Sequence, residues 1–191
     1  MRPVVLVHGI DDTVARLRPL QKYLAAGGLP VHSFNLVPNH GEAELPALAQ
    51  QLAAYVQASF AAEEVIDLVG FSMGGLVSRF YIQRLGGIHR VRKFISIGTP
   101  HRGTRTAYLR NNPGARDMRP RSAFLQNLNR DIAMLDTLSF TSIWTPLDLM
   151  ILPANSSRAP VGRSIRVLSL AHPLLVRDRR VLKLVLRILN E

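Results

Sequence analysis

The stretch that most constrains this chain is Val65 to Leu76, Val-Ile-Asp-Leu-Val-Gly-Phe-Ser-Met-Gly-Gly-Leu. A short apolar run, Val65–Val69, enters the pentapeptide Gly70-Phe71-Ser72-Met73-Gly74, and helical spacing continues through Arg79 and Gln83. Such a strand-to-helix turn holds its central residue in a strained backbone conformation and lifts that side chain clear of the sheet. The flanking positions must be small because strand and helix backbones nearly touch there. The helix N-terminus below the serine adds unpaired N–H donors and partial positive charge. The pattern therefore predicts a sheet with Ser72 displayed at the carboxyl end of one strand.

With 191 residues and 47% hydrophobic content, the expectation is one domain over 1–191 with an ordinary packed core. Cysteine is absent, which excludes a disulfide framework, a thiolate metal site and a cysteine nucleophile. No run of 18 apolar residues is present. Met1-Arg2-Pro3 runs directly into Val4-Val5-Leu6-Val7, too short for a signal-peptide core, so the sequence as it stands points to the cytoplasm. Net charge is +11, yet of 24 basic residues only Lys22, Lys93 and Lys183 are lysine. That skew towards arginine fits genome composition, and no nucleic-acid-binding motif accompanies it.

Along the chain, apolar runs alternate with amphipathic ones. Val4–Val7 reads as a strand buried on both faces, followed by His8-Gly9. Asp11, Asp12 and Thr13 are capping candidates, Pro19 suits a first helical turn, and Leu17, Leu20 and Leu24 keep helical spacing up to Gly27-Gly28. Val31–Leu36 is a second strand, 45–60 a helix, and Val91–Gly98 a further strand. The stretch 101–137 is an irregular excursion with a short helix near Ser122–Leu128. Strands follow at Phe140–Trp144 and Ile165–Leu170, and a final helix runs from Pro173 to about Leu189. Alternating strands and helices imply an α/β fold: about six mainly parallel strands with helices on both faces. Function in such sheets gathers beyond the carboxyl ends of the strands, where His8, Ser72, His101, Asp148 and His172 fall.

A serine nucleophile needs a base in reach and a third group to orient that base. His172 follows the last strand late in the chain, whereas His32 sits inside a strand and His40 and His89 sit in connections. Asp117, Asp131, Asp136 and Asp148 lie between Ser72 and His172, and Asp148 follows a strand end closely. The order serine, acid, histidine is one that hydrolytic α/β sheets use. Oxyanion donors are expected from the N–H groups of Met73, just after the serine, and Ile10, in the first loop. Gly9 lets that loop turn towards the site, His8 reads as a structural histidine holding it, and Phe71 adjoins Ser72.

Val7-His8-Gly9-Ile10, Gly70-Phe71-Ser72-Met73-Gly74-Gly75 and Gly98-Thr99-Pro100-His101-Arg102-Gly103-Thr104 together resemble the α/β-hydrolase lipases. The pattern is similar to small class 2 triacylglycerol lipases and GPI-inositol-deacylase-like esterases, over about residues 3 to 176. The resemblance implies a minimal α/β-hydrolase fold without the two initial antiparallel strands and without a large lid. It implies a Ser72–Asp148–His172 triad, with His101 lining the site rather than acting as base. It further implies a lipase or esterase acting on ester or lipid substrate, with neither metal nor organic cofactor.

Two other readings share these residues. An acyltransferase would use the same triad with an alcohol in place of water, and a non-catalytic protein of this fold would only bind partners. A monomer is expected. Peripheral contact with an anionic membrane is expected from two arginine-rich stretches, residues 102–121 beside the site and 177–187 on the last helix.

Overall fold

The computed structural model describes residues 1–191. Its centre is a six-stranded parallel sheet in the order β2-β1-β3-β4-β5-β6. The strands are β1 (Val4–Val7), β2 (Val31–Ser33), β3 (Ile66–Phe71), β4 (Val91–Ile97), β5 (Ser139–Trp144) and β6 (Arg163–Arg166). All five pairings are parallel, with Leu6 opposite Val69 and Ser33, and Phe94 opposite Leu68 and Phe140. β1 and β3 have no exposed residue, as continuous apolar runs require when both faces are covered.

Alternate side chains sort onto two cores. Val5, Val7 and Leu68 join the larger one, under α2 (Leu45–Ser59) and α3 (Met73–Arg84). Val4, Leu6, Val69 and Ile97 join the other, under α1 (Val14–Ala26) and α6 (Arg179–Asn190). The apolar stripe of α6, Val181, Leu182, Val185, Ile188 and Leu189, is wholly buried there. Burying each such side chain contributes about 1.5–3 kcal/mol.

Several boundaries differ from those the sequence suggests. α1 begins at Val14 because the Thr13 hydroxyl accepts from the Ala15 N–H, so Pro19 lies inside the helix and removes one internal hydrogen bond. β2 stops at Ser33, since the Leu36 N–H is drawn off to His8 Nε2 at 2.9 Å. β6 is Arg163–Arg166 rather than Ile165–Leu170: beyond it the Ser169 carbonyl accepts from the Thr145 hydroxyl at 2.7 Å, ending the ladder. A short 3₁₀ turn, His172–Leu174, then precedes α6, which starts only at Arg179 with Asp178 as its cap. The excursion is less irregular than expected. It holds α4 (Pro113–Asp117), α5 (Ala123–Arg130) and two 3₁₀ turns, Arg105–Leu109 and Ile132–Thr137.

Nothing so short could cap a site unless it were tied down, and a buried cation ties it. Arg79, on α3, is fully buried. Its guanidinium donates to the Leu128 carbonyl at 2.9 Å, to Asn129 Oδ1 at 3.1 Å and to Gln83 Oε1 at 3.1 Å. Gln83 donates to the same Leu128 carbonyl at 2.8 Å. The last turn of α5 is thereby bolted to α3, its carbonyls facing a cation as the helix dipole favours. Burial pushes the Arg79 pKa down to about 9, and Asp131 nearby works the other way, so Arg79 is charged at neutral pH. Arg79→Met should leave Asn129 Oδ1 without that donor and strip the α5 end of its charge. We expect a loss of about 2–3 kcal/mol, read as a fall in Tm of roughly 5–10 °C. A shift under about 1 °C would show that the bolt carries no stability.

Candidate active site

Chain order reverses between β1 and β3: β2 lies outside β1, and later strands are added on the far side of β3. A crevice opens at such a switch point. Ile10, after β1, and Ser72, after β3, both line it. Ser72 has φ 55° and ψ −125°, a conformation that L-residues rarely adopt. It occupies the N-cap position of α3, yet its hydroxyl caps nothing. The neighbouring glycines are demanded by contact. A Cβ on Gly74 would lie 2.4 Å from the Val7 and His8 carbonyl oxygens, and one on Gly70 would lie 2.5 Å from Gly75 Cα. As the first residue of α3, Met73 has no carbonyl of its own helix four residues back to pair with its N–H.

From the other side of the sheet come Asp148 and His172, both buried. Asp148 Oδ2 accepts from His172 Nδ1 at 2.7 Å. Its Oδ1 accepts from the Met150 and Ile151 N–H groups at 2.9 and 2.8 Å, which keeps the carboxylate satisfied without solvent. With its proton on Nδ1, the imidazole turns its lone pair out at Nε2, which is buried and has no hydrogen-bond partner. The Phe71 ring lies 4.9 Å from the imidazole, centroid to centroid. Gly98, at φ 58°, passes so close that a Cβ would sit 3.0 Å from His172 Cε1. The ring is thus fixed by Asp148, Phe71 and Gly98. No hydrogen bond joins Ser72 Oγ to His172 Nε2 in this conformation.

His8 is buried, its ring 2.8 Å from the Gly9 carbonyl through Nδ1 and accepting from Leu36 through Nε2. Both nitrogens serve the loop, and burial lowers the pKa, so the ring is neutral. Gly9 backs onto Ser72: a Cβ there would lie 3.0 Å from Ser72 Cβ. Two residues on, Asp11 has φ 58° and pairs with Arg110 from the excursion and with His40 at 2.9 Å. The Arg110 guanidinium holds the Asp11 carboxyl below the usual carboxylate range. This link between three loops went unseen in the sequence. Asp11 read only as one of several capping candidates, and Arg110 lies far along the chain.

Around Ser72 is a cleft of about 340 Å³. Ile10, Leu109, Met118, Leu149, Met150 and Ile151 give it an apolar lining. Apart from Ser72, its polar side chains are internally paired: Thr104 and Thr106 donate to the Met150 carbonyl, and Asp11 pairs with Arg110. His101 is fully buried, at 2.9 Å from Ser96 Oγ through Nε2 and 3.4 Å from Arg79 through Nδ1. Burial, then Arg79 and Arg102, push its pKa well below the ordinary value, so it is a neutral strut behind the cleft wall. Arg79, which contacts it, carried no signal in the sequence beyond an arginine on the buried face of a helix.

Comparison with known proteins agrees with this architecture. The mature lipase BlEst2 of Bacillus licheniformis superposes with a TM-score of 0.81 over 98% of this chain and 91% of its own, at 15% identity. Aspergillus fumigatus lipase B gives 0.81 over 100% of this chain and 52% of its own, at 18% identity. At those identities the likeness is one of fold, the α/β-hydrolase fold. A triacylglycerol lipase of Pseudarthrobacter phenanthrenivorans is 34% identical over 113 residues, 55% of this chain and 35% of that protein. Palmitoyl-protein thioesterase 3 of Dictyostelium discoideum is 27% identical over 107 residues, 53% of this chain and 37% of that protein. The chain spans about a third of the length of these relatives. The palmitoyl protein thioesterase family model matches residues 3–133, a span that includes Ser72 but ends before Asp148 and His172. By that match the chain belongs to the palmitoyl protein thioesterase family of α/β hydrolases.

Proposed function

We propose that this chain is a serine hydrolase that cleaves carboxylic esters or thioesters of apolar acyl groups through Ser72, His172 and Asp148. One observation carries the reading: a strained serine that caps nothing follows Phe71, whose ring lies 4.9 Å, centroid to centroid, from a buried histidine whose Nδ1 is held by a carboxylate and whose Nε2 is unpaired. The reading requires the Ser72 hydroxyl to reach that lone pair. Oγ then attacks the acyl carbon while Nε2 takes the proton. Asp148 keeps the ring in the required tautomer and stabilises the imidazolium. The carbonyl oxygen, now negative, is met by the Met73 and Ile10 N–H groups. His172 returns the proton to the leaving alcohol or thiol. Water, deprotonated by the same Nε2, releases the acid from the acyl-enzyme. The apolar lining of the cleft and its internally paired polar groups favour an uncharged acyl chain. The lipase and thioesterase relatives support the class, since oxygen and sulfur esters share the acyl carbonyl under attack.

The direct test is labelling with a fluorophosphonate together with hydrolysis of short p-nitrophenyl esters. Ser72→Ala should abolish both and leave Tm near that of the wild type. Residual activity above about one per cent would overturn the assignment, since removal of a nucleophile costs several orders of magnitude. Asp148→Asn should lower kcat by roughly 10²–10⁴ because Nδ1 loses its acceptor. Asp117→Asn and Asp178→Asn serve as controls with near wild-type kcat.

Asp11→Ala tests the first loop. Without its ties to Arg110 and His40, the Ile10 N–H is less well aimed, and kcat should fall about tenfold, less than loss of a whole donor. The sign with pH follows from the depressed folded-state pKa of Asp11. The pairing is in place above the ordinary carboxylate value and is lost only as pH falls through the lower one. Activity near neutral pH is therefore insensitive to this carboxyl. An unchanged kcat in Asp11→Ala would remove Ile10 from the proposed oxyanion site.

A further inference from the structure

Twelve large hydrophobic residues are exposed, and nine of them sit on three loops at the carboxyl ends of the strands. The most exposed are Leu109 at 85%, Leu149 at 79% and Leu170 at 77%. These loops form one surface. Thr104 and Thr106 donate to the Met150 carbonyl, and the Arg105 N–H donates to the Leu152 carbonyl, joining the first loop to the second. The Thr145 hydroxyl donates to the Ser169 carbonyl and Asp148 holds His172, joining the second to the third. Leu109 and Leu149 line the cleft itself, so the apolar collar is continuous with its mouth. A solvated loop set has no reason to concentrate leucine in this way.

The carboxylates near the collar are buried or paired, with Asp11 held by Arg110 and Asp178 by Arg180. In segments 145–152 and 167–177 the sole carboxylate is Asp148, which is buried. Arg105, Arg177 and Arg179 are exposed and take part in none of the chain's ion pairs. Other arginines of the two stretches expected from sequence are engaged within the chain. Arg116 donates to Asn111, Arg119 lies over Tyr108 and donates to the Arg110 carbonyl, and Arg110 is held by Asp11. They fasten the excursion.

We propose that the aliphatic collar and its unpaired arginines dock the mouth of the cleft onto an anionic lipid bilayer, the leucines entering the acyl boundary and the arginines meeting lipid phosphates. Exposed aliphatic side chains gain by leaving water, and cations near an anionic leaflet gain by the surface potential. The two act on the same face only if that face lies flat on the membrane, with the cleft opening downwards. This adds to the ester-hydrolase reading the place where substrate is met, and it rests on that reading for that link alone.

Binding is measured with the Ser72→Ala protein, so that its outcome is separate from hydrolysis. The probes are sedimented vesicles of phosphatidylcholine, alone or mixed with phosphatidylglycerol. We expect tighter binding to the anionic vesicles at low salt, declining as salt screens the charges. Arg177→Ser with Arg179→Ser should weaken it roughly 25-fold and flatten its salt dependence. Leu168→Ser with Leu170→Ser should weaken it by about tenfold or more. Both pairs, in the chain with Ser72 intact, should leave hydrolysis of a soluble short ester unchanged, because none of these residues lines the cleft. Equal binding to neutral and anionic vesicles at low salt would overturn the proposal, as would binding that neither pair affects. Absence of vesicle binding together with self-association in sedimentation velocity would assign the collar to a second copy of the chain and overturn it as well.

Discussion

The structure depends on how closely α3 approaches the carboxyl ends of β1 and β3. At Gly74 the helix backbone passes where any side chain would strike the Val7 and His8 carbonyls, and at Gly70 the strand passes under Gly75 with equally little room. That contact sets the height of α3 over the sheet. The height in turn places Ser72 above the strand ends, at the N-cap of α3. It also brings the first loop in, because Gly9 can then lie against Ser72. Displaced outwards by one methyl group, the helix would separate all of these together.

A second regularity concerns buried cations. Arg79 and Lys93 are both buried, and neither side-chain cation is paired with a carboxylate. Each sits at the carbonyl end of a helix: Arg79 at the Leu128 carbonyl of α5, and Lys93 Nζ at the Ile188 and Leu189 carbonyls of α6, at 2.6 and 3.0 Å. The partial negative charge of a helix C-terminus, with direct hydrogen bonds, offsets much of the cost of desolvating a cation. Part of the +11 charge is therefore structural. Lys93 secures the final helix against the start of β4, and Arg79 secures the excursion that walls the cleft. The final helix and the excursion are each held by one such contact.

These contacts mark the limit of what sequence pattern reveals. The elbow was legible because its glycine spacing, preceding apolar run and following helix are local. Asp148 and His172 were legible as polar residues just past strand ends, in an order consistent with the fold. Arg79 was not, because an arginine on a helix reads as solvated unless its long-range partners, Leu128 and Asn129, are known. The ends of β2 and β6 were misplaced for a related reason. Val31–Leu36 and Ile165–Leu170 are apolar enough for strands, but non-local bonds to His8 and Thr145 divert their backbones. In the second case the misreading concealed something useful. Leu168 and Leu170, taken as buried strand residues, are exposed. The excursion looked irregular because its helices are too short to show a period, and their order comes from caps such as Asn112 and Ser122 together with the Arg79 bolt.

The crevice also concentrates the costs of the fold. Ser72 holds a backbone conformation that costs about 1–3 kcal/mol for a residue with a side chain. His172 Nε2 is buried without a partner, at a further cost of about 1–3 kcal/mol. Neither is relieved locally: the Ser72 hydroxyl is not used as a helix cap, and no neighbouring donor turns towards the imidazole. Both persist because everything around them is over-determined. The Ser72 N–H is held by the Ile97 carbonyl, and the imidazole is pinned by Asp148, Phe71 and Gly98. An unpaired imidazole lone pair is unfavourable for the resting protein, and it leaves Nε2 free to accept a proton. The strained serine and the unpaired imidazole are the two groups that the proposed chemistry would bring together.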